Sequence, residues 1–370
     1  MDFAFTEEQE ELRRTVADVL TDLSTETDVR RLMATDEGFD RKLWSQFAEI
    51  GLLGLAIPEE LGGAGYGLLE VGVVLEEAGR TLLCAPYLST VVLATTTLLT
   101  AGDEAAAAKY LPQIAEGTLI STLALTEESG RWDREGVTVS AAQGGGDTWT
   151  LDGVKTFVVD GHTADLLIVV AVTGDEIGLF LVDADAAGLT RALLPTMDQT
   201  RKWARLEFAG TPARRLGSGD AWPTVEKVLR VAATALAAEQ VGGAARTVEM
   251  AAEYAKIREQ FGRPIGSFQA IKHICADMLV QLEAARSAAY YALWAGATDS
   301  DEFPLVSSIA KACCSDAYYQ CTTSNIQVHG GIGFTWEHPA HLYFKRAKAS
   351  QLLFGDPALH RELVAQHIGI

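Results

Sequence analysis

At 370 residues the chain exceeds what one hydrophobic core usually spans, so two or three subdomains are expected. Its 48% apolar content excludes a disordered chain, and a formal net charge of −20 argues against nucleic acid or an anionic membrane surface as a partner. No uninterrupted apolar stretch reaches the ~20 residues of a membrane span. The opening Met1-Asp2-Phe3-Ala4-Phe5-Thr6-Glu7-Glu8 is acidic, with no cationic region ahead of an apolar run. No secretory signal is therefore expected, and the protein reads as soluble and cytoplasmic. Cys313 and Cys314 are adjacent and the other cysteines scattered, which is neither a zinc spacing nor a disulfide framework. Buried thiols are the reading. His338 and His341 lack a further ligand cluster, so no metal is expected.

Residues 1–118 read as a mostly helical domain. Thr6 with Gln9 forms a capping-box signature, after which Leu12, Val16 and Leu20 recur at helical spacing. Lys42–Ile50 predicts a second helix, ended by Gly51; glycine density makes Pro58–Gly67 a loop. Further helices are predicted over 68–79, 87–101 and 103–116. Residues 119–218 then read as a small antiparallel, barrel-like β-domain. Leu119–Thr126, Thr148–Gly153 (a strand entering a turn), Thr156–Val159, Leu166–Ala171 and Ile177–Val182 are its β-prone runs. No Gly-x-Gly-x-x-Gly opens a strand–helix unit there, which disfavours a Rossmann domain. Residues 219–370 return to helix: Val225–Arg258, 267–296, 302–328 and 336–351 predict a four-helix bundle, so the fold class is α+β. Gly242 and Gly243 inside the first of these cost helix stability, and close packing against a neighbouring helix is the expected reason.

Two segments of the bundle suit complementary tasks. Arg258-Glu259-Gln260-Phe261-Gly262-Arg263-Pro264-Ile265-Gly266-Ser267-Phe268-Gln269 offers a cation, an aromatic ring and an amide at a helix end. Gln327-Val328-His329-Gly330-Gly331-Ile332-Gly333-Phe334 offers an amide and a glycine run where backbone can approach a ligand closely. Guanidinium and free N–H groups are what a pyrophosphate needs. In this order the two segments resemble the flavin-binding signature of the acyl-CoA dehydrogenase family. Trp44–Gly67, Leu123-Ala124-Leu125-Thr126-Glu127, Asp152-Gly153-Val154-Lys155-Thr156-Phe157 and Tyr343-Phe344-Lys345-Arg346-Ala347-Lys348 resemble further parts of the same pattern, which covers nearly the whole chain.

The resemblance implies FAD as cofactor. Arg258 would pair with the pyrophosphate and Phe261 pack on the adenosine half, with Gln269 beside them. Gln327, Gly330 and Gly331 would line the cofactor. Thr126 would hydrogen-bond the flavin ring and Phe157 stack near it, with Gly355 also at the cofactor. It further implies an acyl-CoA substrate, a role in fatty acid or lipid metabolism, electron-transfer flavoprotein as electron acceptor, and a homo- or hetero-oligomer (dimer or tetramer). The chain departs from the family at several points. Glu128-Ser129-Gly130-Arg131-Trp132-Asp133 replaces a glycine-rich turn, Phe157 stands for a tryptophan, and Val159 stands for a threonine.

The largest departure concerns the base that removes the α-proton. Phe354 stands where many members carry the catalytic glutamate, and Ala232 stands at the alternative place on the first bundle helix. Glu239 is the nearest carboxylate C-terminal to Ala232, on the same face but ~10 Å further along. It is the residue named as base, with a structural hydrogen bond as its other reading; burial would raise its pKa into a useful range. Asp356 is a second candidate, or a cap before Pro357, or a contact to the flavin. The expected function is FAD-dependent α,β-dehydrogenation of an acyl-CoA thioester. The alternatives are a base-lacking subunit of a heteromeric dehydrogenase and a flavin monooxygenase or oxidase on the same fold. Ala232, Ala233 and Ala235 would permit a bulky acyl group but equally allow close helix packing.

Overall fold

A computed structural model describes residues 6–145 and 148–370, so the first five residues of the stretch read for a leader lie outside it. The order is helical, then strand-rich, then helical. The N-terminal part holds α1 (Glu7–Leu23), α2 (Glu26–Met33), α3 (Arg41–Glu49), α4 (Leu68–Thr81), α5 (Thr95–Thr100) and α6 (Glu104–Ala115). The capping box is present: Thr6 Oγ1 accepts from the Gln9 N–H at 3.2 Å, and the Gln9 amide oxygen accepts from the Thr6 N–H at 3.0 Å. α2, whose eight residues carry two arginines, offers too short an apolar pattern to announce itself.

The helix expected over 87–101 is only partly α. Leu88–Ala94 is a π-helix that leads into α5. Thr90 O accepts from both the N–H and the hydroxyl of Thr95, a five-residue spacing that widens the turn. Buried hydroxyls competing for backbone carbonyls bend a helix in this way.

The middle domain contains β1 (Ser121–Ala124), β2 (Ser140–Gln143), β3 (Thr148–Val159), β4 (Leu166–Thr173), β5 (Glu176–Asp183), β6 (Leu189–Leu193) and β7 (Trp203–Leu216). β4 pairs with β5, β5 with β7, β7 with β3, β3 with β2, and β2 again with β4. That circuit closes a small barrel, which removes exposed edges. β1 and β6 attach outside the circuit, and the β1–β4 and β2–β4 pairings are parallel. Asp152-Gly153 is not the turn its composition suggests. β3 runs on through it with a register shift after Leu151, because Gly153, at φ +131°, lies against Val139, where a Cβ would come within 3.0 Å.

The C-terminal part contains α7 (Trp222–Ile257), the two-residue strands β8 (Glu259–Gln260) and β9 (Arg263–Pro264), α8 (Gln269–Ala297), α9 (Phe303–His329), α10 (Ala340–Leu352) and α11 (Pro357–His367). α11 has no counterpart among the predicted helices, although its start is marked in the sequence: Asp356 caps it by accepting from the Leu359 N–H at 2.8 Å, with Pro357 at its first position. By compactness the chain forms two units. One holds the residues up to Arg30 with Leu68–Leu83 and Ala233–Ile370, the other Arg31–Gly67 with Cys84–Ala232. Among the described residues no helix is long and apolar enough to cross a membrane. Cys84, Cys314 and Cys321 are buried, whereas Cys275 is half-buried and Cys313 exposed, so the thiol reading holds for three of the five.

Within the first unit the glycines of α7 have the role expected of them. A Cβ on Gly242 would lie 1.7 Å from Glu76 O, and one on Gly79 would lie 2.0 Å from Glu239 O, so α4 and α7 touch backbone to backbone. Gly243 does the same for the Tyr318 ring of α9. Gly242→Ala therefore lowers the thermal midpoint, by overpacking worth ~1–3 kcal/mol or more. Helix propensity alone would stabilise the variant by about 1 kcal/mol and raise the midpoint, so the sign of the shift in a melting curve decides.

Candidate active site

The Arg258–Gln269 segment turns out of α7 as a tight hairpin. Glu259 pairs with Pro264 and Gln260 with Arg263, leaving Phe261-Gly262 as a two-residue turn with φ of +55° and +74°. Two positive φ values give the turn type that suits twisted strands, but a phenylalanine there costs ~1–2 kcal/mol. Its ring is 92% exposed, touching only Phe268 edge-on at 6.1 Å among the ring contacts of the described residues. The backbone of Arg258 is fixed by Tyr254 O and by the Ile265 N–H, while no described residue pairs with its guanidinium. Gln269 opens α8, exposed, with its amide nitrogen 3.5 Å from His273 Nε2.

Gln327 is exposed near the end of α9, and Gly330 follows at φ +64°. The Gly330 N–H donates to Ile326 O and Gln327 O, terminating the helix. Nothing lies within 4 Å of a Cβ placed on Gly330 or Gly331, which leaves open space along this turn. Beneath it His329 stacks on Tyr254 at 4.3 Å and donates Nδ1–H to Asn325 O.

In the other unit, Thr126 is buried just beyond β1. Its hydroxyl donates to Thr156 O at 2.7 Å, leaving the oxygen's lone pairs as acceptors, and Thr156 N–H donates to Thr126 O at 2.9 Å. Phe157 has φ +52°, is half exposed, and meets Trp203 edge-on at 6.4 Å. A buried ion pair joins Lys155 Nζ to Glu127 Oε1 at 2.6 Å. Burial alone would push the Glu127 carboxyl up, but Lys155 and the Thr138 and Val139 donors hold it below its usual range. Burial pushes Lys155 down to about 8, against the pull of Glu127. In the replaced turn, Arg131 is engaged by Asp133 and Glu135.

The residues at and near the expected places of the base are buried or engaged. Ala232 is wholly buried, and Phe354 is 5% exposed at φ +60°. Glu239 is also buried, but its Oε1 accepts from Arg346 Nη1 at 3.0 Å, and Arg346 Nη2 reaches toward Leu83 O. Asp356 is exposed and occupied in capping α11. Lys311, which sequence reading passed over, organises the turn around Phe354. Its Nζ donates to Ser315 Oγ and to the carbonyls of Ser350, Gln351 and Gly355 at 3.0–3.2 Å. His360 Nε2 lies 2.9 Å from Phe354 O, so it carries the proton, and burial drops the imidazole to about 4. The signal for it is a lysine inside the otherwise apolar run Ile309-Ala310-Lys311-Ala312-Cys313-Cys314. Gly355, at φ +96°, has no room for a Cβ beside Leu359. No group of three or more His, Cys, Asp or Glu among the described residues could hold a metal.

Three family domains match in sequence: the acyl-CoA dehydrogenase N-terminal domain over residues 6–118, the middle domain over 122–210 and the C-terminal domain over 219–369. Acyl-CoA dehydrogenase IpdE2 of Mycobacterium tuberculosis is 37% identical over 352 residues, covering 95% of this chain and 94% of that protein. A chain of the ChsE4-ChsE5 complex from Mycobacterium tuberculosis superposes with a TM-score of 0.91 at 32% identity, covering 100% of this chain and 99% of that one. A chain of the Tcur3481-Tcur3483 steroid ACAD, solved as a variant, gives 0.89 at 34%, covering 98% of each. The chain belongs to the acyl-CoA dehydrogenase family, oxidoreductases that act on the CH–CH group of their donors. The family is one of flavoproteins and implies FAD; an unpaired guanidinium, two exposed strained rings and an open glycine turn are groups that fit it.

Two outcomes follow from the buried charges. Arg346→Met leaves the Glu239 carboxylate without its guanidinium and costs ~3–5 kcal/mol, while Arg346→Met with Glu239→Leu recovers most of it; denaturant unfolding of both variants checks this. Lys311 is pushed by burial to about 7 from its ordinary 10.5. Between those values the unfolded chain binds more protons than the folded one, so stability rises with pH. The unfolding free energy of the wild type, relative to Lys311→Met, should climb over that window; a flat difference contradicts it.

Proposed function

We propose that this chain serves in the FAD-dependent α,β-dehydrogenation of an acyl-CoA thioester as a subunit that brings no base of its own, paired with a second chain of the same family. The observation that carries this reading is the commitment of Glu239 to Arg346, with Phe354 at the family's place for a glutamate. A base must come within about 3 Å of the proton it takes, directly or through one water. A carboxylate held in a buried ion pair would first have to break it. The ChsE4-ChsE5 complex and the paired name of the steroid ACAD support a two-chain arrangement, and the latter makes a steroid-like ring acyl group the first substrate class to test.

When bound, FAD would accept the hydride from the β-carbon. The chain's own part is to hold it. Arg258 offers its guanidinium to the pyrophosphate and Phe261 an exposed face to the adenosine half. Gln269, Gln327, Gly331 and Gly355 are further proposed contacts, and Gly330 contributes a turn. Thr126 offers an acceptor oxygen to the ring and Phe157 a stacking surface. Electron-transfer flavoprotein is the proposed acceptor. A self-sufficient enzyme with Glu239 as base is the second reading, favoured by one fact, that α7 carries a buried carboxylate.

Co-expression with neighbouring dehydrogenase-like chains, then anaerobic addition of acyl-CoA thioesters, separates the two. On the first reading a yellow hetero-complex bleaches, the chain alone does not, and a complex carrying Glu239→Gln keeps turnover within about tenfold. A chain that bleaches alone, and stops when Glu239→Gln is introduced although flavin stays bound, removes the partner reading and makes Glu239 the base.

A further inference from the structure

We propose that Lys155, acting with Glu127, is a positioning residue that builds the platform on which the flavin ring is received. The proposal deepens the FAD reading above and rests on it. The ladder between β1 and β4 ends at Ala124, so residues 125–127 continue without a strand partner on that side. They are fastened through β3 instead. Lys155 Nζ donates to Leu125 O at 2.8 Å and to Glu127 Oε1 at 2.6 Å, so one ammonium grips the residues on either side of Thr126. Glu127 in turn accepts from the N–H groups of Thr138 and Val139 at 2.8 and 2.9 Å and from the Thr138 hydroxyl. Thr126 and Thr156 bond each other twice.

The next residue is the one displayed. β3 and β7 slip register between Lys155 and Val158: Lys155 pairs with Leu206 and Val158 with Ala204, so two residues oppose one. Such a bulge re-aims a side chain, and here it presents Phe157 half exposed in the left-handed region. Lys155 is the last paired residue before that bulge and is itself wholly buried. One slim side chain thus sets both the acceptor at Thr126 and the ring at Phe157.

Stability does not require a lysine here. A buried ion pair can often be replaced by well-packed apolar residues of similar volume without loss of stability, whereas removing one partner is costly. What an apolar pair cannot do is hold Leu125 O and the three donors from Thr138 and Val139 in one geometry. The residue is thus explained by placement of the platform.

The test uses the protein as purified with its partner, in wild-type form and with Lys155→Met plus Glu127→Gln, which removes both charges together. The expected result is a thermal midpoint close to wild type, FAD affinity reduced about tenfold or more, and exchange of the Thr156 amide about tenfold faster in the flavin-free protein, with the bundle amides unchanged. Lys155→Met alone lowers the midpoint further but leaves the FAD loss the same. A double variant that binds FAD within about twofold of wild type, with Thr156 exchange unchanged, overturns the role of Lys155 while leaving the FAD reading intact. Affinity and midpoint that fall together, with exchange faster through the whole sheet, also overturn it, since that is general loosening. A wild type that takes up no FAD overturns the FAD reading and this use of the platform together.

Discussion

A carboxylate that neutralises a buried guanidinium must give up that pair before it can take a proton. Glu239 and Arg346 meet at 3.0 Å inside the bundle, each almost without solvent. Taking two charges out of water is expensive, and breaking such a pair leaves an uncompensated charge where nothing hydrates it. The pair therefore ties α7 to α10, and through Arg346 to the end of α4 at Leu83. The touching glycines of α4 and α7 set the distance at which this works. The commitment matters for chemistry because a buried carboxylate on α7 is already engaged.

Three phenylalanines, Phe157, Phe261 and Phe354, have φ between +52° and +60°. Bulky residues avoid that region, so each records a demand from its surroundings. For Phe157 and Phe261 the result is an exposed ring at the tip of a bulge or hairpin, which costs burial as well as backbone energy. That is the pattern of a surface that expects a ligand. For Phe354 the ring is buried and the turn is over-determined by Lys311 and His360. The same backbone conformation thus serves display in two places and closure in the third.

Each unit relies on a buried lysine where chain leaves regular structure. Lys311 gathers three carbonyls at the end of α10, and Lys155 grips the segment after β1. Backbone groups leaving a helix or ladder need new partners. An ammonium has three donors on a flexible stem and can serve several carbonyls at once. Lys155 also carries its own counter-charge in Glu127; Lys311 works with neutral acceptors, and its acidity is shifted further in consequence.

Much was readable from order alone. Periodicity and glycine placement gave α1, α3, α4 and the long helices, and the spacing of Arg258, Phe261 and the glycine run carried the family resemblance. Those features are local, written in adjacent residues or in repeats of one turn. β2, β6 and β7 were not foreseen: β2 is four small or polar residues, β6 and β7 have their apolar residues interrupted by charges, and all three pair as strands only when the sheet assembles around them. The sequence by itself determined that Phe354 and Ala232, not carboxylates, stand where the family resemblance places a base, since side-chain identity needs no coordinates. Only the tertiary structure decided what Glu239, Lys155 and Lys311 do. Their partners lie 107, 28 and 44 residues away along the chain, and a charged side chain is fixed by whichever groups share its buried surroundings, which no local pattern records.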